Sequence, residues 1–81
     1  MYENKVLINL YIVSLDKRFE IFIPVNEKVG NISKLFNITL FDSIDNSKNT
    51  TIVNAETGKY YLNNELIINT DIRNGSNLIL L

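Results

Sequence analysis

Residues 18–36, RFEIFIPVNEKVGNISKLF, change their period part-way along. Over 18–23 the apolar side chains alternate, with Phe19, Ile21 and Ile23 on one face and Glu20 and Phe22 on the other. Pro24 ends this strand, because it has no N–H to give to a ladder. Beyond it, Val29, Ile32, Leu35, Phe36, Thr39, Leu40 and Ser43 follow the i, i+3, i+4, i+7 rule of an amphipathic helix. Asn26 is the predicted N-cap, with Glu27 favourable in the first turn. Gly30 and the β-branched Thr39 weaken the intrinsic helix propensity, so packing must hold the helix in place. A strand that passes through a short bend into one helix predicts an α+β domain, with the helix on one face of a sheet.

Upstream, residues 5–13 (KVLINLYIV) also alternate. Val6, Ile8, Leu10 and Ile12 share one face, and Leu7, Asn9, Tyr11 and Val13 the other. A polar turn at Ser14-Leu15-Asp16-Lys17 joins this strand to the next as a hairpin. Downstream, residues 45–50 (DNSKNT) are turn formers that close the helix. Thr51-Ile52-Val53 reads as a short strand and Lys59-Tyr60-Tyr61-Leu62 as its return, around a loop whose Gly58 can take positive φ. Residues 66–72 predict a helical turn that buries Ile67 and Ile72, and Asn74-Gly75 predicts a tight turn. The closing strand, residues 77–81, is apolar on both faces and therefore reads as central. The predicted order is β-β-α-β-β-β in a single domain over 1–81.

With 81 residues the chain has room for one domain. Its formal charge is −1, with both signs interspersed and no basic block. Nucleic-acid affinity draws on clustered cations, so nucleic-acid binding is disfavoured. The same argument removes a polybasic membrane patch. No apolar run approaches the ~20 residues that span a bilayer, so direct membrane insertion is not expected. Neither Cys nor His is present, so disulfides and Cys- or His-based metal sites are excluded. Cytoplasmic residence is the expectation, and the richness in Asn and Ile hints at AT-rich codons and a low-GC bacterial source.

From Ile23 the anchors Val29, Ile32 and Phe36 fall at spacings that resemble the strand-to-helix passage of ubiquitin. The stretch from Leu62 to Leu81 resembles the ubiquitin ending, in which an aliphatic-rich turn leads through a tight loop into the last strand. The resemblance implies a β-grasp (ubiquitin-like) fold over most of the chain. Within that superfamily, Ile52-Val53-Asn54 with its hairpin, and Leu66 through Ile72-Arg73-Asn74-Gly75-Ser76-Asn77-Leu78-Ile79-Leu80, look most similar to the YukD/EsaB family. Those small proteins are associated with type VII (ESX/WXG100) secretion in low-GC Gram-positive bacteria. Ser76 departs from their pattern, where an acidic residue is common.

Ubiquitin-like modifiers and sulfur carriers act through a flexible tail that ends in Gly-Gly. This sequence ends at Leu80-Leu81 without one, so conjugation and sulfur carriage are not expected unless a longer precursor exists. No catalytic residue is expected either, since the usual general base, His, and the best protein nucleophile, Cys, are both missing. Asp42 and Asp45 read as a solvated helix terminus in preference to an acid/base or metal pair. Asn74-Gly75-Ser76 reads as a turn in preference to an anion nest, and neither a metal nor a cofactor is expected.

One positive feature stands out. If the alternate residues of the first two strands face the helix, then Tyr11, Val13, Phe22, Ile79 and Leu81 share the opposite face. Ubiquitin-like domains commonly dock partners there, so the resemblance implies a protein-binding patch made of these residues. The expected partner is a protein, in a membrane secretion complex on the YukD/EsaB resemblance, or a second copy of the chain. Ile38 and Phe41 fall off the helix stripe and have two readings, contact with the loop at 45–50 or a second patch. The competing expectation is a small β-grasp regulatory subunit of a multicomponent enzyme complex. Neighbouring genes separate the two: a membrane ATPase with WXG100 genes, or diiron hydroxylase genes.

Overall fold

The computed structural model describes residues 4–41 and 51–81, the side chains of 38–41 excepted. The expectations for Ile38, Phe41, Asp42, Asp45 and the turn at 45–50 lie outside the described residues. The elements are β1 (Lys5–Ile12), β2 (Lys17–Pro24), α1 (Val29–Phe41), β3 (Ile52–Asn54) and β4 (Asn77–Leu80). A 3₁₀ turn at Ile67–Asn69 precedes β4. The sheet has four strands in the order β2-β1-β4-β3. β1 and β2 pair antiparallel, as do β3 and β4, while β1 and β4 pair parallel at the centre. This is the expected α+β architecture, one helix on a mixed sheet.

Alternation in the strands builds the core directly. Ile8, Leu10 and Ile12 of β1, with Leu78 and Leu80 of β4, lose essentially all solvent exposure. Above them lie Val29, Ile32 and Phe36 of α1, equally buried. Ile67 and Ile72 fill the core as the sequence predicts. The buried polar residues of the helix bond to its own backbone: Ser33 Oγ donates to Gly30 O at 2.9 Å and Asn37 Nδ2 to Ser33 O at 2.7 Å. They therefore carry no unpaired-group penalty.

Two local expectations are corrected. Asn26 and Glu27 precede the helix, which begins at Val29. Its first N–H groups are satisfied by a distant loop: Val29 N donates to Glu65 O at 2.8 Å and Gly30 N to Asn63 O at 3.0 Å. Gly30 permits this approach, because a Cβ there would lie 3.1 Å from both Asn63 O and Asn63 Cβ. The glycine that weakens helix propensity is what lets the loop seat on the helix end. The second correction concerns Lys59-Tyr60-Tyr61-Leu62, which is no strand but a single bridge, Val53 with Tyr60. The chain leaves the sheet edge at Leu62, whose N–H is taken by the Glu65 carboxylate at 2.8 Å.

A polar cluster fastens this edge. Tyr61 is 4% exposed. Its hydroxyl donates to Asp71 Oδ1 at 2.5 Å and accepts from Asn54 Nδ2 at 3.1 Å. Asn54 Oδ1 accepts the N–H groups of Glu56 and Thr57, shaping the loop that ends at Gly58 with φ 76°. Burial, then the bond to Asp71, pushes the Tyr61 phenol up to about 12. That same bond holds the Asp71 carboxyl below its ordinary value.

Two outcomes are expected. Phe36→Ala should cost roughly 3–5 kcal/mol in urea unfolding, most of what a domain this small has; a loss under about 1 kcal/mol contradicts the packing described. For Tyr61, a folded pKa above the unfolded value of 10.0 means stability that is complete below pH 10 and lost as pH rises toward about 12. Tyr61→Phe should be less stable at pH 7 by about 1 kcal/mol, and its deficit should shrink between about pH 10 and 12. A deficit that does not change across that window removes the phenol from the account.

Candidate functional site

The helix covers one face of the sheet, and the other face is built by register. Tyr11 stands opposite Arg18 on β2 and Ile79 on β4. Ile79 stands opposite Val53, and Val53 opposite Tyr60. Directly paired residues share a face. Arg18, Tyr11, Ile79, Val53 and Tyr60 therefore form one row across the whole outer face. Continuing the same ladders by backbone bonds, Val13 N donates to Leu80 O and Leu81 N to Thr51 O. Val13 and Leu81 thus follow Tyr11 and Ile79 on the same face, and Leu62 follows Tyr60. Val13, Leu81, Tyr60 and Leu62 are 46%, 43%, 62% and 64% exposed.

Tyr11 is held from two sides. Its hydroxyl donates to Asp16 Oδ1 at 2.7 Å, and the Arg18 guanidinium lies 5.0 Å from its ring centroid. The bond to Asp16 raises the phenol above its ordinary pKa. Asp16 reaches this position through a left-handed turn conformation, φ 52°.

Beside the apolar row runs a polar one. Asn9 pairs with Glu20 on β2 and Asn77 on β4. Asn9 Nδ2 donates to Asn77 Oδ1 at 3.1 Å, and Asn77 Nδ2 to Glu56 Oε2 at 2.8 Å. These residues, with Tyr11, Arg18 and Ile79, line an open groove of about 600 Å³.

Of the five residues expected to form a patch, Tyr11, Val13, Ile79 and Leu81 come together at one end of the face. Phe22 does not join them. It is 65% exposed and paired with Leu7, four residues along β1 from Tyr11, roughly 13 Å at strand rise. The Asn9–Glu20 pair lies between. Tyr60 and Leu62 extend the apolar block, with Val53 a buried member of the same row, and were not anticipated; the signal available was the alternation of Tyr60, Tyr61 and Leu62 about buried Tyr61.

Among the described residues no three acidic side chains gather as a metal site would require. At the Asn74-Gly75-Ser76 turn two backbone N–H groups are already used. Gly75 N donates to Leu7 O and Ser76 N to Arg73 O, while Asn74 Oδ1 accepts from Leu7 N. The turn is a fastening of β4 to β1.

A helix on a mixed sheet with parallel central strands has clear counterparts among solved structures. A chain from a structure described as molecular mimicry of SUMO promoting DNA repair superposes with a TM-score of 0.75. The match covers 100% of this chain and 95% of that one at 15% identity. The ubiquitin-like domain of an Arabidopsis thaliana protein gives 0.71, covering 99% and 79% at 14% identity. The fold is ubiquitin-like. No protein-family model and no curated sequence matches the chain. On the outer face described above, Val13, Tyr60, Leu62 and Leu81 are exposed apolar side chains.

Proposed function

We propose that this chain is a non-catalytic protein-binding module, a cytosolic accessory component of a type VII (ESX/WXG100) secretion apparatus. The observation that carries the docking reading is the outer-face block of Tyr11, Val13, Ile79 and Leu81, extended by Tyr60 and Leu62. Scattered apolar residues need no explanation, but these occupy consecutive positions in register. Aromatic side chains at such a face remove much apolar area from water at little rotamer cost. The secretion reading rests on the similarity of the stretch from Ile52 to Leu80 to the YukD/EsaB ending. The non-catalytic reading rests on the absence of His and Cys from the sequence. Phe22 with Leu7 is a second, separate contact point on the same face.

The partner tested first is the cytosolic region of the membrane ATPase encoded beside WXG100 genes. Val13→Asp puts a charge into the block at a side chain 46% exposed. It should leave the unfolding midpoint within a few degrees of the parent and weaken ATPase binding at least about tenfold, roughly 1.4 kcal/mol. Equal binding by the two proteins would remove the face from the function. No ATPase binding by the parent, with diiron hydroxylase genes as neighbours, would replace the secretion reading with the regulatory-subunit one. Association of the parent with itself, lost in Val13→Asp, would make the second copy the partner.

A further inference from the structure

The polar row beside the apolar block is unbalanced in its hydrogen bonding. Donation runs one way, from Asn9 Nδ2 to Asn77 Oδ1 and from Asn77 Nδ2 to Glu56 Oε2. This orients the Asn9 amide. Its Nδ2 is turned to β4, so Oδ1 diverges from Asn77 and has no partner among the described residues. The residue paired with Asn9 on β2 is Glu20, whose carboxylate is exposed and also unpaired among the described residues. Neighbouring strands lie about 4.8 Å apart, so the two residues that carry these acceptors are direct cross-strand neighbours on one face. Glu56, at the far end of the row, adds a second negative charge to the groove. Among the described residues the one cation lining it, Arg18, is laid over the Tyr11 ring.

Free acceptors in a row, negative charge at both ends and an apolar wall beside them select a cationic, donor-rich group. We propose that this groove receives the guanidinium of an arginine on the partner polypeptide, whose adjacent apolar side chain rests on the Tyr11–Ile79 row. A guanidinium is planar, carries five N–H donors and stays charged, so one group can serve the Glu20 carboxylate and Asn9 Oδ1 together. An ammonium is a compact point charge and matches this pair of acceptors less well. Phosphate-bearing ligands are opposed by Glu20 and Glu56. The inference rests on the docking reading above and specifies the partner's chemistry.

The test uses the full chain, labelled with ¹⁵N, and N-acetyl-arginine amide as the probe. The isosteric citrulline amide supplies the uncharged control and N-acetyl-lysine amide the point charge. Saturable shifts are expected at the Asn9 and Asn77 side-chain amides and at the Glu20 backbone amide. Citrulline amide should bind at least about tenfold more weakly, and lysine amide should fall between the two. Glu20→Gln, at an exposed side chain with no partner among the described residues, should keep the parent spectrum elsewhere and weaken arginine binding at least about fivefold. Raising the salt from about 20 mM to about 500 mM should weaken it similarly. Shifts that do not saturate, equal shifts with citrulline amide, or an unchanged affinity in Glu20→Gln overturn the proposal. Such a result with ATPase binding still sensitive to Val13→Asp would reject the arginine site alone. Arginine binding with ATPase binding indifferent to Val13→Asp would reject the apolar docking block instead.

Discussion

Parallel pairing of β1 with β4 obliges the chain to cross the whole domain between them, because parallel neighbours cannot be joined by a tight turn. The register Leu10 with Leu78 and Ile12 with Leu80 puts four fully buried side chains under the helix. The same register puts Tyr11 with Ile79, and Asn9 with Asn77, on the far side. Core and candidate site are therefore two faces of one pairing. A slip of one residue would exchange them. One side-chain bond and one backbone bond pin the register near its start: Leu7 N donates to the Asn74 amide oxygen, and Gly75 N, at φ 88°, donates to Leu7 O.

The crossing is held by polar groups that carry little local signal. The helix starts against carbonyls of Asn63 and Glu65, and the 3₁₀ turn docks through Ile67 N on Glu27 O and Ile68 N on Val25 O. Thus the segment after the helix satisfies the segment before it. Asn54, Tyr61 and Asp71 then join the β3 loop to the turn that leads into β4. Each bond contributes on the order of 1 kcal/mol, but each also spares a buried group the larger cost of standing unpaired.

Legibility in the sequence followed the strength of the periodic signal. Alternation in 5–13 and 18–23, and the Val29, Ile32, Phe36 spacing, placed the strands, the helix and its inward triad correctly, whereas Leu35, read into the same stripe, is 48% exposed. Asn-Gly at 74–75 and Gly58 announced turns that need positive φ. The helix cap was misplaced because a backbone carbonyl donated by residues 63–65 has no residue signature, whereas Asn26 looks like a cap. Residues 59–62 read as a strand by composition, but Glu65 captures Leu62 N and the ladder stops at one bridge. At the outer face, parity alone grouped Tyr11, Val13, Ile79 and Leu81. Separating Phe22 from them, and joining Asn9 to Asn77, required the register itself. Register depends on long-range pairing that no single window of the sequence contains.

The core and the outer face both stand on that register, whose most direct measurement is a set of cross-strand backbone NOEs in the free protein. The structure requires contacts between Tyr11 and Ile79, between Ile79 and Val53, and between Val53 and Tyr60, linking the outer row from strand to strand. It equally requires Leu10 beside Leu78. NOEs that place Ile79 beside Leu10 or Ile12, the signature of a shift by one residue, would put Ile79 beneath the helix and contradict the docking face and the core together.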